Sequence, residues 1–275
     1  MEWARRADES IFSSLGVLER VAWDAHEPLG VLEAAAQVTS NVSLCTMVVI
    51  GPLRNDHDLA TRAARLDRMS GGRLVLGLAV GARVEDYEAA GVDHRSRGRR
   101  FDEQLPNLRS LWAAEEDAAG EPRRGGPTLL VGGTSGISFG RMARHADGYV
   151  HGGGPPRAFR RAAAAARAAW ADLERPGSPQ LWAQGYFALG DAADTGRRYM
   201  EDYYEFTGPF ASRIVEGLLV SPQDVVAFAR GYKEAGCDEL VLLPAVPDPD
   251  QVDRLAEVIA GCSADLGFPS QEAAV

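Results

Sequence analysis

The sequence predicts an α/β protein that folds as a (β/α)8 TIM barrel, and two observations support this. Short apolar runs alternate with longer amphipathic or alanine-rich stretches, which is typical of repeated strand–helix units whose parallel sheet is buried on both faces. The length of 275 residues is close to that of one continuous barrel of this kind. We therefore predict a single barrel domain that spans residues 1–275.

Seven strand–helix units follow one another along the chain. Apolar runs bounded by turn residues predict strands at Ser14–Val21, Val42–Ile50, Leu74–Val80, Thr128–Gly132, Gly148–Val150, Leu181–Leu189 and Glu239–Leu243. Amphipathic spacing predicts helices at Pro28–Val38, Asp58–Met69, Phe101–Trp112, Ile137–His145, Pro156–Leu173, Asp194–Phe206, Pro222–Ala235 and Pro249–Ile259. The chain opens on a helix-like segment, Trp3 to Glu9, so we expect the first strand of an eight-stranded barrel to be missing.

Composition and charge restrict the class of partner. The formal net charge of -10 argues against binding to nucleic acid or to an anionic membrane surface. Three scattered cysteines do not make a disulfide framework or a structural zinc site. No apolar run approaches the roughly 20 residues of a membrane span, and the first residues lack the apolar centre of a signal peptide. We predict a cytoplasmic protein that acts on a small molecule.

A glycine-rich turn follows the predicted strand at Thr128–Gly132. Gly132, Gly133, Thr134 and Ser135 lead into the helix predicted at Ile137–His145. Glycines allow close approach of an anion, the first N–H groups of a helix point at it, and the two hydroxyls add donors. No lysine follows the glycines, so the turn is not a Walker loop. We predict a site for the phosphate of a cofactor, and an ordinary strand-to-helix turn is the alternative.

Longer segments of the sequence resemble one family. These segments are residues 44–55 (LCTMVVIGPLRN), 66–81 (LDRMSGGRLVLGLAVG), 86–92 (DYEAAGV), 97–103 (RGRRFDE), 131–135 (VGGTS), 143–149 (ARHADGY) and 236–242 (GCDELVL). Together they resemble the bacterial luciferase-like monooxygenases, which are barrel oxidoreductases that use a flavin or a deazaflavin. The resemblance extends over about the whole chain.

The resemblance implies a flavin-dependent oxidoreductase or monooxygenase that acts on a small organic substrate by hydride transfer through the bound flavin. It implies FMN as the cofactor, with the deazaflavin coenzyme as the alternative, because no residue selects between them. A luciferase-like barrel that has lost cofactor turnover is a further alternative. The family also implies a homo-oligomer and a flavin reductase as partner. We expect no metal, since the histidines lack metal-ligand spacing.

Candidate site residues follow from the resemblance and from the rule that barrel active sites lie at the carboxyl ends of the strands. A backbone bulge with a non-proline cis peptide is expected at Thr46 to Val48, against the flavin ring. The predicted cofactor-binding residues are Thr46, Met47, Gly81, Arg83, Arg97, Gly132, Gly133, Thr134 and Ser135. The predicted catalytic residues are His151, as a proton donor, and Glu19, as a group that orients the substrate. A solvated surface charge is the alternative for each arginine, and a loop histidine without function is the alternative for His151.

Two departures from the family pattern affect these expectations. Family members begin with a strand of glycine, two hydrophobic residues and proline, which this chain lacks. They also have a longer insertion after the fourth helix, where this chain has only the polar segment Ala113 to Gly126. We therefore expect a pocket that is unusually exposed, or that a neighbouring subunit covers. The aromatic residues from Tyr199 to Phe206 have helical spacing, which predicts that they pack in the core.

Overall fold

Strands and helices alternate along the computed structural model, which describes residues 1–114 and 126–262. The helices are α1 (Glu2–Asp8), α2 (Pro28–Ala36), α3 (Asp56–Met69), α4 (Val84–Ala89), α5 (Arg97–Ala113), α6 (Gly136–His145), α7 (Pro156–Ala171), α8 (Ala193–Tyr204), α9 (Ala211–Val215), α10 (Pro222–Glu234) and α11 (Asp250–Gly261). The strands are β1 (Ser14–Val17), β2 (Ser43–Thr46), β3 (Val49–Ile50), β4 (Leu74–Ala79), β5 (Thr128–Gly132), β6 (Gly148–His151), β7 (Gln180–Phe187) and β8 (Glu239–Pro244). None of the described helices is long and apolar enough to cross a membrane.

The strands form one parallel sheet that curves into a nearly closed barrel. Its order is β1, β2, β4, β5, β6, β7 and β8, and β3 continues beside β4. The first and last strands approach each other at a seam. There the carboxylate of Glu239 accepts hydrogen bonds from the hydroxyls of Ser13 and Ser14, each at 2.6 Å. The parallel barrel and the seven predicted strand positions are therefore confirmed.

Side chains alternate between the barrel interior and the surrounding helices, as the two buried faces of the sheet require. The interior contains Cys45, Met47, Val75, Leu130, Val150, Trp182, Tyr186, Val241 and Leu243. Tyr199, Met200 and Tyr204 of α8 and Ile214 of α9 pack on the same cluster. Because α8 and α9 follow the carboxyl end of β7, residues 193–215 form a cap over one side of the barrel mouth, and we call them the α8–α9 cap.

The predicted bounds agree closely with the structure except at the second strand. The run Val42–Ile50 was expected to be continuous, but β2 and β3 are separate. Cys45 pairs with Val75 and Val49 pairs with Leu78, so three residues on one side oppose two on β4. The extra residue makes a β-bulge. The short helices α4 and α9 were not predicted, and most of the predicted insertion, residues 115–125, lies outside the described residues.

Candidate active site

The bulge at Thr46 to Val48 is tied to β4 by one side chain. The Thr46 hydroxyl donates to the carbonyl of Gly77 and accepts from the Gly77 amide, both at 2.8 Å. A Cβ at Gly77 would collide with the carbonyl oxygen of Thr46, so only glycine allows the two strands to come this close. The expected non-proline cis peptide lies between Met47 and Val48. Thr46 and Met47 are buried, and Val48 is the bulge residue that is partly exposed.

Residues with little or no side chain line the rim between the bulge and β5. A Cβ at Gly132 would lie 3.4 Å from the Cβ of Ala79, so the ends of β4 and β5 leave a small-residue surface. Gly81 has a φ of +68°, and a Cβ there would lie 2.8 Å from Cγ2 of Ile50. The predicted role of Gly81, to leave room for a cofactor, is compatible with this geometry.

The glycine turn, residues 132–138, presents backbone donors. Gly133 has a φ of +127°, and a Cβ there would collide with the Ser138 hydroxyl. Ser135 caps α6, because its hydroxyl accepts the Ser138 amide at 3.3 Å. The first backbone bond of the helix is donated by the Phe139 amide to the carbonyl of Ser135. The amides of Gly136 and Ile137 precede that bond, and both residues are exposed. Helix amides of this kind are an anion-binding arrangement.

The two predicted phosphate-binding arginines point in different directions. The Arg97 guanidinium donates to the carbonyl of His94 at 2.8 Å, within its own loop. Arg83 is buried and donates to the carbonyl of Tyr203 in the cap at 3.1 Å. Its guanidinium carbon lies 4.4 Å from the ring centre of Tyr203 and 4.2 Å from that of Phe206. Arg83 therefore faces the aromatic cap.

Glu19 is buried beneath the loops after β1 and β3. Its carboxylate accepts the Ile50 amide at 2.6 Å and pairs with Arg54. Arg54 also binds Glu27, at 3.0 Å, and Glu27 binds Arg62, at 2.7 Å. Burial raises the pKa of Glu19, while the Arg62 and Arg54 guanidiniums hold the pKa of Glu27 below its usual range despite partial burial. The Glu19 carboxylate thus joins two loops of the barrel mouth.

His151 lies on the helix side of the sheet. Val150 faces the barrel interior, whereas Tyr149 belongs to the core between sheet and helices, and His151 shares the face of Tyr149. Its ring centre is 5.7 Å from that of Phe159 in α7, and its Nδ1 is 3.0 Å from the Tyr149 hydroxyl. Burial lowers the pKa of His151. The proposed role in proton donation stays a prediction, and this orientation does not favour it.

The comparison with known families agrees with this geometry. A family model described as luciferase-like monooxygenase matches residues 1–243. The chain belongs to the luciferase-like monooxygenase family. The barrel, the bulge and the glycine turn therefore lie on a luciferase-like scaffold.

Relatives and similar structures of the family differ in cofactor. A flavin-dependent trigonelline monooxygenase, oxygenase component, from Acinetobacter baylyi is 38% identical over 88 residues, which are 31% of this chain and 24% of that protein. An F420-dependent secondary alcohol dehydrogenase in complex with an F420-acetone adduct superposes with a TM-score of 0.80 at 16% identity, over 94% of this chain and 92% of that chain. The FMN complex of the oxygenating constituent of 3,6-diketocamphane monooxygenase from Pseudomonas putida superposes with a TM-score of 0.69 at 17% identity, over 93% and 89%. This chain spans less than half the length of the curated relatives it matches.

Three features of the luciferase-like mouth were missed by reasoning from the sequence. Ser138 shares the glycine turn with Ser135, and the two hydroxyl oxygens are 3.0 Å apart. Serines three residues apart at a helix start are a signal for this contact. Val48, rather than the Thr46 side chain, is accessible at the bulge. The approach of Arg20 and Arg83 to the cap joins segments that are distant in sequence, and no local pattern indicates it.

Proposed function

We propose that this protein is a flavin-dependent oxidoreductase of the monooxygenase type that binds FMN at the barrel mouth and acts on a small organic substrate by hydride transfer. The observation that carries the proposal is the glycine turn, whose Gly136 and Ile137 amides precede the first backbone bond of α6. This turn lies two strand positions around the rim from the bulge at Thr46 to Val48. A phosphate at one place and a flat ring at the other fit a flavin mononucleotide.

The residues of the rim would divide the work of binding. The amides of Gly136 and Ile137 and the exposed hydroxyls of Thr134 and Ser135 would hold the phosphate. The backbone of the bulge and the Val48 side chain would support the ring. The flavin itself supplies hydride transfer when bound, and the protein supplies position and exclusion of water. The α8–α9 cap is the element that keeps water from the mouth.

Glu19 and Thr46 act as positioning residues in this proposal. Glu19 fixes the Ile50 amide beside the bulge, and Thr46 fixes the bulge to Gly77. Neither side chain is free for another hydrogen-bonding role without losing these contacts. Arg97 binds its own loop, so we assign the phosphate to the turn rather than to this arginine.

The names of relatives support FMN and a reductase partner. The trigonelline relative is named as a flavin-dependent oxygenase component, which supports delivery of reduced flavin by a separate reductase. The deazaflavin coenzyme is the second candidate, because the structure with the higher TM-score of the two described above is named as F420-dependent. A homo-oligomer stays a prediction from the resemblance.

A charge placed in the glycine turn tests the proposal. Gly136 is exposed and a Cβ there meets nothing within 4 Å, so substitution does not disturb packing. Gly136→Asp adds a carboxylate at the start of α6, where negative charge stabilises the helix but repels a phosphate. We expect Gly136→Asp to weaken FMN binding about tenfold or more, and Gly136→Asn, the neutral control of similar shape, to weaken it far less. Quenching of flavin fluorescence on titration measures both constants.

The same titration distinguishes the cofactors. We expect the wild-type protein to bind FMN, in the oxidised or the reduced form, more tightly than the deazaflavin coenzyme. Tighter binding of the deazaflavin with the same loss in Gly136→Asp would reassign the cofactor and retain the turn. Binding of neither ring to the folded protein would contradict the proposed function and favour a barrel without cofactor turnover.

A further inference from the structure

Two arginines and three aromatic rings form one continuous stack at the barrel mouth. The Arg20 guanidinium carbon lies 4.0 Å from the ring centre of Trp23 and 5.2 Å from that of Tyr203. On the cap side, Arg83 lies between Tyr203 and Phe206, at 4.4 Å and 4.2 Å. We call these five residues the arginine stack. Trp23 and Arg20 follow β1, Arg83 follows β4, and the other two end α8, so the stack joins three segments of the mouth.

Both guanidiniums meet at one neutral acceptor. The carbonyl of Tyr203 accepts from Arg20 at 3.4 Å and from Arg83 at 3.1 Å. Within residues 1–114 and 126–262, neither arginine forms an ion pair, and the Asp86 carboxylate, which follows Arg83 in α4, accepts the Ala22 amide instead. Two like charges therefore converge on a single carbonyl oxygen.

The in-plane edge of each guanidinium remains available. The Nε atoms of Arg20 and Arg83 are buried and have no hydrogen-bond partner. Arg83 is only 9% exposed. The rings occupy the flat faces of the guanidiniums, so the unused donors lie in the plane, along the edge with which arginine binds a carboxylate through two parallel bonds. A buried cation without an anion is costly, so an anion bound at this place would be strongly favoured.

We propose that Arg20 and Arg83 form the binding site for the carboxylate of a flat, anionic substrate, an inference that rests on the proposed function for its place in the reaction. The bound carboxylate takes the position of the Tyr203 carbonyl and bonds both Nε edges. The rings of Trp23, Tyr203 and Phe206 stack on the flat part of the substrate. The site selects aromatic or conjugated carboxylates over neutral analogues of the same shape.

This site is separate from the one proposed for the cofactor phosphate. The glycine turn follows β5 and offers backbone amides, whereas the arginine stack is built from the loops after β1 and β4 and from the cap. A phosphate on the turn and a carboxylate on the stack place two anions at two positions of one mouth. The cofactor phosphate is the other possible source of an anion for the arginines, and the experiment below distinguishes the two.

Benzoate and benzamide are suitable probes, because they have the same shape and differ in charge. We expect benzoate to bind the folded protein at least tenfold more tightly than benzamide in calorimetric titration, since charge-assisted bonds to two guanidiniums are lost with the neutral amide. Arg83→Gln and Arg20→Gln should each abolish that preference. Arg83→Lys keeps the charge without the bidentate edge and should retain only part of it.

Arg99→Gln is the matched control, because Arg99 has a side chain that is 71% exposed and pairs with Glu103 on the surface of α5. It should leave benzoate binding and FMN binding unchanged. Thermal melting of every variant identifies loss of fold. If Arg83→Gln does not fold, the comparison of benzoate with benzamide on the wild type and on Arg83→Lys decides instead.

Equal binding of benzoate and benzamide to the wild type would overturn the proposal. So would a loss of FMN affinity in Arg83→Gln without benzoate binding to the wild type, because the arginines would then hold the cofactor phosphate. Benzoate binding that depends on Arg20 and Arg83 in a protein that binds no flavin would retain the carboxylate site and contradict the proposed function alone.

Discussion

The glycine turn and the arginine stack lie at the same barrel mouth, but they are built in opposite ways. The turn uses the main chain, since Gly136 and Ile137 offer amides and the residues before them have short side chains. The stack uses long side chains, since Arg20 and Arg83 are held by rings from another element. Backbone donors suit a group that every catalytic cycle presents, whereas side chains of distant segments can change with the substrate. The comparison indicates that the cofactor end and the substrate end of the mouth are encoded separately.

The largest expected effect breaks the cofactor side alone. Thr46→Val removes the hydroxyl that satisfies the amide and the carbonyl of Gly77, both buried. We expect the free energy of unfolding to fall by about 3 kcal/mol, because two buried polar groups lose their partner. Urea denaturation measures the change. Thr46→Ser keeps the hydroxyl and should cost less than about 1 kcal/mol.

Ligand binding by Thr46→Val then sharpens the comparison. FMN affinity should fall with the displaced bulge, whereas the preference for benzoate over benzamide should persist in the folded fraction. Equal stability of the valine and serine variants would show that the Thr46 hydroxyl does not hold the bulge.

A smaller effect concerns His151, which lies outside both sites. Burial lowers the pKa of His151 below its ordinary value of 6.5. Below that value the unfolded chain takes up a proton that the folded protein does not, so stability is present above pH 6.5 and is lost as the pH falls toward the folded pKa. The slope is at most about 1.4 kcal/mol per pH unit for one such group.

We expect His151→Phe to lose less unfolding free energy than the wild type between pH 7.5 and pH 5.5 in urea denaturation, at roughly the slope given above. Part of the slope remains in the variant, because burial also lowers the pKa of His145. His57→Gln is the control, since His57 is exposed. FMN and benzoate binding should be unchanged in His151→Phe. Loss of either ligand would return His151 to the candidate catalytic residues.

The sequence predicts those parts of the molecule whose cause is local. The strand at Thr128–Gly132 has the observed bounds, and α3 starts two residues earlier than predicted because the Asn55 side chain caps it at Asp56. The glycine turn was predicted because its donors are consecutive residues. Asp67 and Arg73 precede β4, and their side chains are engaged separately: the Leu74 amide donates to Asp67, and Arg73 donates to the carbonyls of Thr39, Val42 and Ser70.

What the sequence could not predict depends on contacts between distant segments. The split of Val42–Ile50 into β2 and β3 depends on pairing with β4, which no pattern in that run reports. The spacing of Tyr203 and Phe206 indicated core packing, and Tyr203 is indeed buried, but its partners are the guanidiniums of Arg20 and Arg83. The orientation of His151 was missed because its face follows from the register of a four-residue strand.

The central claim is that the barrel mouth holds two anions at once, one on backbone amides and one on arginines. Calorimetric titration with benzoate, in the absence and in the presence of saturating FMN, tests it most directly. The account predicts that both ligands bind together and that FMN changes the benzoate dissociation constant by less than about threefold. Strict competition between FMN and benzoate would contradict the account, because it would mean that the two sites share one anion position.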